Sequence, residues 1–165
     1  MENPELYAVF PYSLYGVGKP GIDMGIRTFE RRVNKEGDCW KQDAIQAACL
    51  GLAEEARNHT VKKFTLSIEE CRFPAFWGPN NDWIPDQDQG GVGAMSLQSM
   101  ILQAEGKSIY LFPSWPNDWD VEFKLHAPHM ESGESEFDAD SLAFYIRELS
   151  LSSSSFWLII SSVYV

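Results

Sequence analysis

The chain has 165 residues, 44% of them apolar, enough for one domain with a packed core or one piece of a larger domain. Its 13 Lys and Arg against 24 Asp and Glu leave a formal charge of −11. That balance excludes a nucleic-acid binder, which needs a basic face, and a polybasic membrane-surface helix.

The acidic start, Met1 to Glu5, has no apolar run and does not read as a signal peptide. Leu6 to Lys19, rich in Pro, Tyr and Gly, reads as a structured loop. Ile22, Ile26, Phe29 and Val33 then fall on one helical face. A polar turn, Asn34 to Asp38, ends that helix. A second helix is predicted from Gln42, with Ala44, Ile45, Ala48, Cys49 and Leu52 as its apolar stripe and Gly51 as its breaker. A third runs from about Leu52 to Phe64. Ala53, Ala56, Val61 and Phe64 are expected inward, and Glu54, Glu55, Arg57 and Lys62 outward.

Ser67 to Gly91 is long and irregular, and loops of that length in a compact domain are functional or disordered. Its aromatics argue against disorder. A fourth helix, about Val92 to Ala104, is apolar nearly all round, the mark of a helix buried on most sides. The period then changes. Ser108 to Phe112 and Val121 to Leu125 read as strands around a Pro113–Pro116 turn. After Pro128 the composition breaks. Leu142, Tyr145, Ile146 and Leu149 suit a short amphipathic helix, and Ser150 to Ser155 is low-complexity. Phe156 to Val165 has about half the ~20 residues of a membrane span and reads instead as a sticky strand.

The three cysteines, Cys39, Cys49 and Cys71, are an odd number without a C-x-x-C pair. No metal site is expected from them, and Cys49 reads as a small core residue. No cofactor motif is present: there is no P-loop, no G-x-G-x-x-G and no G-x-S-x-G. Asp86-x-Asp88 opens like an EF-hand loop. Its fifth ligand position would be Gly90 and its twelfth Leu97, so the EF-hand reading fails and only an irregular calcium site stays open.

Three constellations remain. The densest joins Asp82, Asp86 and Asp88 with Trp77, Trp83, Asn80 and Asn81. Trp faces stack on the apolar faces of sugar rings, Asp and Asn hydrogen-bond hydroxyls, and one carboxylate can serve as a catalytic base. The plain alternative is a loop fixed by Asx-turns, with Asp88 capping the next helix. The second is Trp40-Lys41-Gln42-Asp43 at a helix start: a sugar-facing aromatic with polar groups, or simply a helix N-terminus that favours Asp43. The third, Trp115 to Asp120, reads as a packing plug. His126 and His129 have no evident partner in sequence. The predicted partner is thus a neutral carbohydrate, an oligosaccharide or glycan.

Several of these segments together resemble a known family. They are Asp43-Ala44-Ile45-Gln46-Ala47-Ala48, Phe76-Trp77-Gly78-Pro79-Asn80 and Pro85-Asp86-Gln87-Asp88-Gln89-Gly90-Gly91. Met100 to Gly106, Leu111 to Pro116 and Asp118 to Val121 follow in the same order. They look like the late part of a six-hairpin glycosidase. The nearest likeness is to bacterial glycosyl hydrolase-like proteins related to glycoside hydrolase family 95, which includes α-L-fucosidases and α-galactosidases.

The resemblance spans about residues 2–128. It implies a mainly α fold, helical hairpins forming part of an α/α toroid, followed by the first strands of a C-terminal β-sandwich. Residues 1–106 would be the partial toroid and 107–128 the start of the β domain. Residues 129–165 would be an atypical tail of the kind a truncated or frameshifted frame produces. The family inverts, using a Glu acid and an Asp that activates water. That Asp position falls on Asp88, with Asp86 its rival. Trp40, Trp77 and Trp83 would be sugar platforms. Gln42, Asp43, Asn80, Asn81 and Asp82 would be polar partners of the substrate. No residue here matches the Glu acid, so the isolated chain is expected to be an inactive fragment. A non-catalytic carbohydrate-binding or interaction module is the alternative. Family members are usually exported.

Overall fold

The structure, a computed structural model, describes residues 2–37, 40–65, 88–105, 108–126, 143–147 and 158–160. Four helices pack together: α1 (Ile22–Arg31), α2 (Asp43–Cys49), α3 (Ala53–Thr65) and α4 (Asp88–Ile101). A 3-10 turn, Pro4–Leu6, precedes them. β1 (Leu102–Glu105) and β2 (Ser108–Leu111) form an antiparallel pair with β5 (Leu158–Ile160) beside β2. A separate antiparallel pair joins β3 (Glu122–His126) to β4 (Ala143–Arg147).

α2 and α3 make a tight hairpin. Gly51 takes φ +75°, a left-handed conformation that glycine reaches without steric penalty, and the Leu52 amide donates back to Ala47. α4 packs against both helices. The apolar core lies at the turn end of this layer. Leu6, Val9, Phe29, Ala48, Leu50 and Met100 meet Ile109 and Leu111 there. α1 closes over it, with Gly25 directly against the Leu50 side chain.

Several expectations change. α1 stops at Arg31 and Val33 is 87% exposed, so the predicted helical face ends at Phe29. α3 buries Ala56, His59, Thr60 and Lys63, not Val61 and Phe64, which are exposed. The buried set has helical spacing but is polar, and apolar periodicity cannot see it. α4 begins at Asp88 and ends at Ile101, because Leu102 to Glu105 pair with Leu111 to Ser108 as a strand. Tertiary pairing there overrides a sequence with good helix formers. Ala143–Arg147 is likewise a strand rather than a helix, in register with β3. Met95 on α4 is exposed, so that helix is not buried all round.

Candidate functional site

Two hydrogen bonds set the direction of the helical layer. Gln103 Nε2 donates to the Ala48 carbonyl at 2.7 Å, which joins the C-terminal ends of α2 and α4. Gln89 Nε2 donates to the Lys63 carbonyl at 2.9 Å, which joins the start of α4 to the end of α3. Hence α2 and α4 run the same way and α3 runs against them. The helix starts that carry Trp40, Gln42, Asp43 and Asp88 therefore lie toward the end of the layer away from the α2–α3 turn, and the core residue Phe29 reaches the Asp43 level through Arg32 and His59.

At this end Asp88 is the first residue of α4 and is exposed. A carboxylate is favoured there by the helix dipole. Trp40 is 39% exposed just before α2. Gln42 is the residue preceding α2, and Gln46 lies one turn on, on the same face. Their side-chain oxygens are both buried without a hydrogen-bond partner among the described residues. Both line a cleft with Glu2, Tyr7, Asn3 and Lys41. Its volume, 10 Å³, admits one water-sized group. The Tyr7 hydroxyl donates to the Glu2 carboxylate, and that hydrogen bond, which needs the phenol proton, raises its pKa, with desolvation and the Glu2 charge adding to it.

Asp43 is committed elsewhere. It is 1% exposed, and its Oδ1 accepts from Arg32 Nε at 2.6 Å. Arg32, itself buried, also donates from Nη1 to the Phe29 carbonyl at 2.6 Å, and its guanidinium lies 3.6 Å over the Phe29 ring. Its third nitrogen, Nη2, is 3.0 Å from His59 Nε2. A guanidinium only donates, so His59 Nε2 is the acceptor and the imidazole proton sits on Nδ1. Burial of His59 holds its pKa below the ordinary 6.5. The Arg32 and Lys62 charges push the same way, against Asp43 and Glu55. Gly37 sits at φ +61° against the ring, where a Cβ would come 2.3 Å from Nδ1. Arg32 and His59 also line a groove of 1060 Å³ that opens between Glu30, Lys35, Glu55, Asn58 and Trp119.

The remaining sequence candidates divide cleanly. Asp86, Trp77, Asn80, Asn81, Asp82 and Trp83 lie outside the described residues. Trp115 is buried, donates from Nε1 to the Trp119 carbonyl at 2.9 Å and meets the Trp119 ring edge-on at 5.3 Å. Arg57 holds Asp118 at 2.9 Å and covers the Trp119 ring, so this turn is packing. Burial pushes the Cys49 thiol up to about 11, which leaves it protonated and unreactive at neutral pH. Among the described residues no three His, Cys, Asp or Glu side chains are grouped to hold a metal, and no helix is long and apolar enough to cross a membrane.

Arg32, His59 and Gln46 escaped the sequence reading. One signal was present. His59 stands three residues after Ala56 on the buried stripe of α3, and Arg32 three after the aromatic Phe29. Comparison with protein families, curated proteins and solved structures finds no match to this chain.

Proposed function

We propose that this chain is part of a carbohydrate-active hydrolase, an arc of an α/α toroid, with Asp88 as the base that activates water against a glycosidic bond. The observation that carries the reading is convergence. Trp40 and Gln42 at the start of α2 and Asp88 at the start of α4 lie toward the same end of the layer, with Asp88 and Trp40 exposed. An exposed indole suits the apolar face of a pyranose. The unpartnered amide oxygens of Gln42 and Gln46 face a cleft with room for one water-sized group, which suits a single hydroxyl or water and not a sugar ring. In an inverting mechanism the base stands about 6.5–9.5 Å from a general acid, leaving room for water.

One observation favours the rival, a carbohydrate-binding module without catalysis. Asp43, the other carboxylate brought to this end, is buried in an ion pair with Arg32 and cannot act as the acid. Titration with fucose, galactose and their oligosaccharides, followed by calorimetry and by hydrolysis of aryl glycosides, separates the two. On either reading Trp40→Ala weakens sugar binding by about tenfold, the loss of one aromatic contact. For a hydrolase, Asp88→Asn keeps binding and abolishes turnover. Binding without turnover in the wild type leaves the module. Absence of saturable binding to any sugar removes both.

A further inference from the structure

We infer that His59 is a positioning residue for the Trp40–Gln42 end of the molecule, and that the Arg32–Asp43–His59 cluster is a latch which closes only on a neutral imidazole. The latch rests on the geometry alone. Its consequence for ligand binding rests on the function proposed above.

The segment between α1 and α2 begins at Arg32 and delivers Trp40 and Gln42. Its first half is tied by neutral bonds. Asn3 and Asn34 exchange hydrogen bonds at 2.8 and 3.1 Å, and Asn34 Nδ2 donates to the Glu2 carbonyl. The Arg32 side chain holds the same segment from the opposite side. Each of its three nitrogens is used: on Asp43 of α2, on the Phe29 carbonyl of α1 and on His59 of α3. The Arg32 side chain is 5% exposed, and its contact with His59 lies on the wall of the adjoining groove, which both residues line.

Protonation of His59 turns Nε2 into a donor facing another donor at 3.0 Å. It also places two cations side by side in a buried space. The charged groups facing the ring come from three elements: Arg32 after α1, Asp43 on α2, and Glu55 and Lys62 on α3. Lys35 stands on the rim of the adjoining groove. Glu55 Oε2 lies 3.8 Å from Nε2, but that carboxylate is half-exposed and weakened by solvent. The Asp43 carboxylate is already engaged by Arg32. Neither compensates for the lost acceptor. The backbone at Gly37 lies so close to the ring that a Cβ there would come 2.3 Å from Nδ1. Acidification therefore frees residues 35–37 and 40–42 while the apolar core stays packed.

Amide hydrogen exchange followed by mass spectrometry tests the latch without any sugar. After correction for intrinsic exchange, protection of residues 33–37 and 40–42 is expected to fall about tenfold from about pH 7.5 to about pH 5, with the helical core unchanged. His59→Gln, whose amide oxygen accepts from Arg32 at every pH, is expected to abolish that dependence. An equal pH response in His59→Gln, or protection independent of pH in the wild type, overturns the latch. Should the variant not fold, nitrogen-15 imidazole shifts of the wild type decide. A neutral Nδ1–H tautomer that persists below pH 6.5 supports the latch, and an Nε2–H tautomer at neutral pH overturns it. Failure here leaves the sugar reading intact, and failure of sugar binding leaves the latch intact.

Discussion

The two ends of α2 are packed by opposite chemistries. At the C-terminal end Ala47, Ala48 and Leu50 join Leu6, Val9, Phe29, Met100 and Leu111 in an apolar core. At the N-terminal end Asp43 and Gln46 are buried with Arg32 and His59, and Thr60 shares a hydrogen bond of 2.7 Å with Ser96 of α4 nearby. The first kind of packing is non-directional, and its loss scales with the atoms removed. The second is directional. Each buried hydrogen bond needs its partner in one place, and loss of that partner strands the other group. A stable apolar end can thus support a polar end that responds to conditions.

The largest expected effect breaks the polar end. Asp43→Ala leaves the Arg32 guanidinium buried without its carboxylate, and denaturant unfolding is expected to show a loss of about 3–5 kcal/mol. Replacing Arg32 and Asp43 together by Met and Leu is expected to cost far less than the single change. Similar losses for the two variants would show that the pair acts through shape and not through charge.

Next comes the apolar end. Met100 is fully buried, and Met100→Ala is expected to cost about 2–5 kcal/mol by the cavity it opens. The same urea titrations, repeated across pH, are expected to give this variant the wild-type pH dependence. A changed dependence would mean that the two ends are not separable.

The smallest effect sharpens the comparison. The folded pKa of His59 is depressed below 6.5 by burial and by its cationic neighbours. Above 6.5 the imidazole is neutral in both folded and unfolded states. Below it the unfolded state takes the proton first, so stability declines as pH falls from about 6.5 toward the depressed value. His59→Gln is expected to remove that decline while the loss common to carboxylates at lower pH remains. Thermal melts between pH 7.5 and 5 read the difference directly.

Much of the helical layer was legible in advance. Ile22, Ile26 and Phe29 placed α1, and Gly51 placed the α2–α3 turn, because both signals are local. Of the candidate site residues, Trp40 and Gln42 were named from residue type at a predicted helix start and Asp88 from its loop cluster and the family likeness; the structure puts Gln42 just before α2 and Asp88 first in α4. Gln46, Arg32 and His59 were not named. A Gln, an Arg and a His give no apolar periodicity, and they are buried only because partners distant in sequence satisfy them, 27 residues apart for Arg32 and His59.

From the sequence alone came an acidic chain with a succession of helices and an aromatic-rich loop before the last of them. Those properties follow from composition and from spacing within a turn or two. Tertiary structure alone decided that α3 turns a polar face inward, that Leu102–Glu105 leaves the helix to pair with β2, and that Asp43 faces Arg32 and not the solvent. The physical reason is common to all three. A polar or ambiguous segment has no preference strong enough to act by itself, so it takes the conformation in which a distant partner completes its hydrogen bonds.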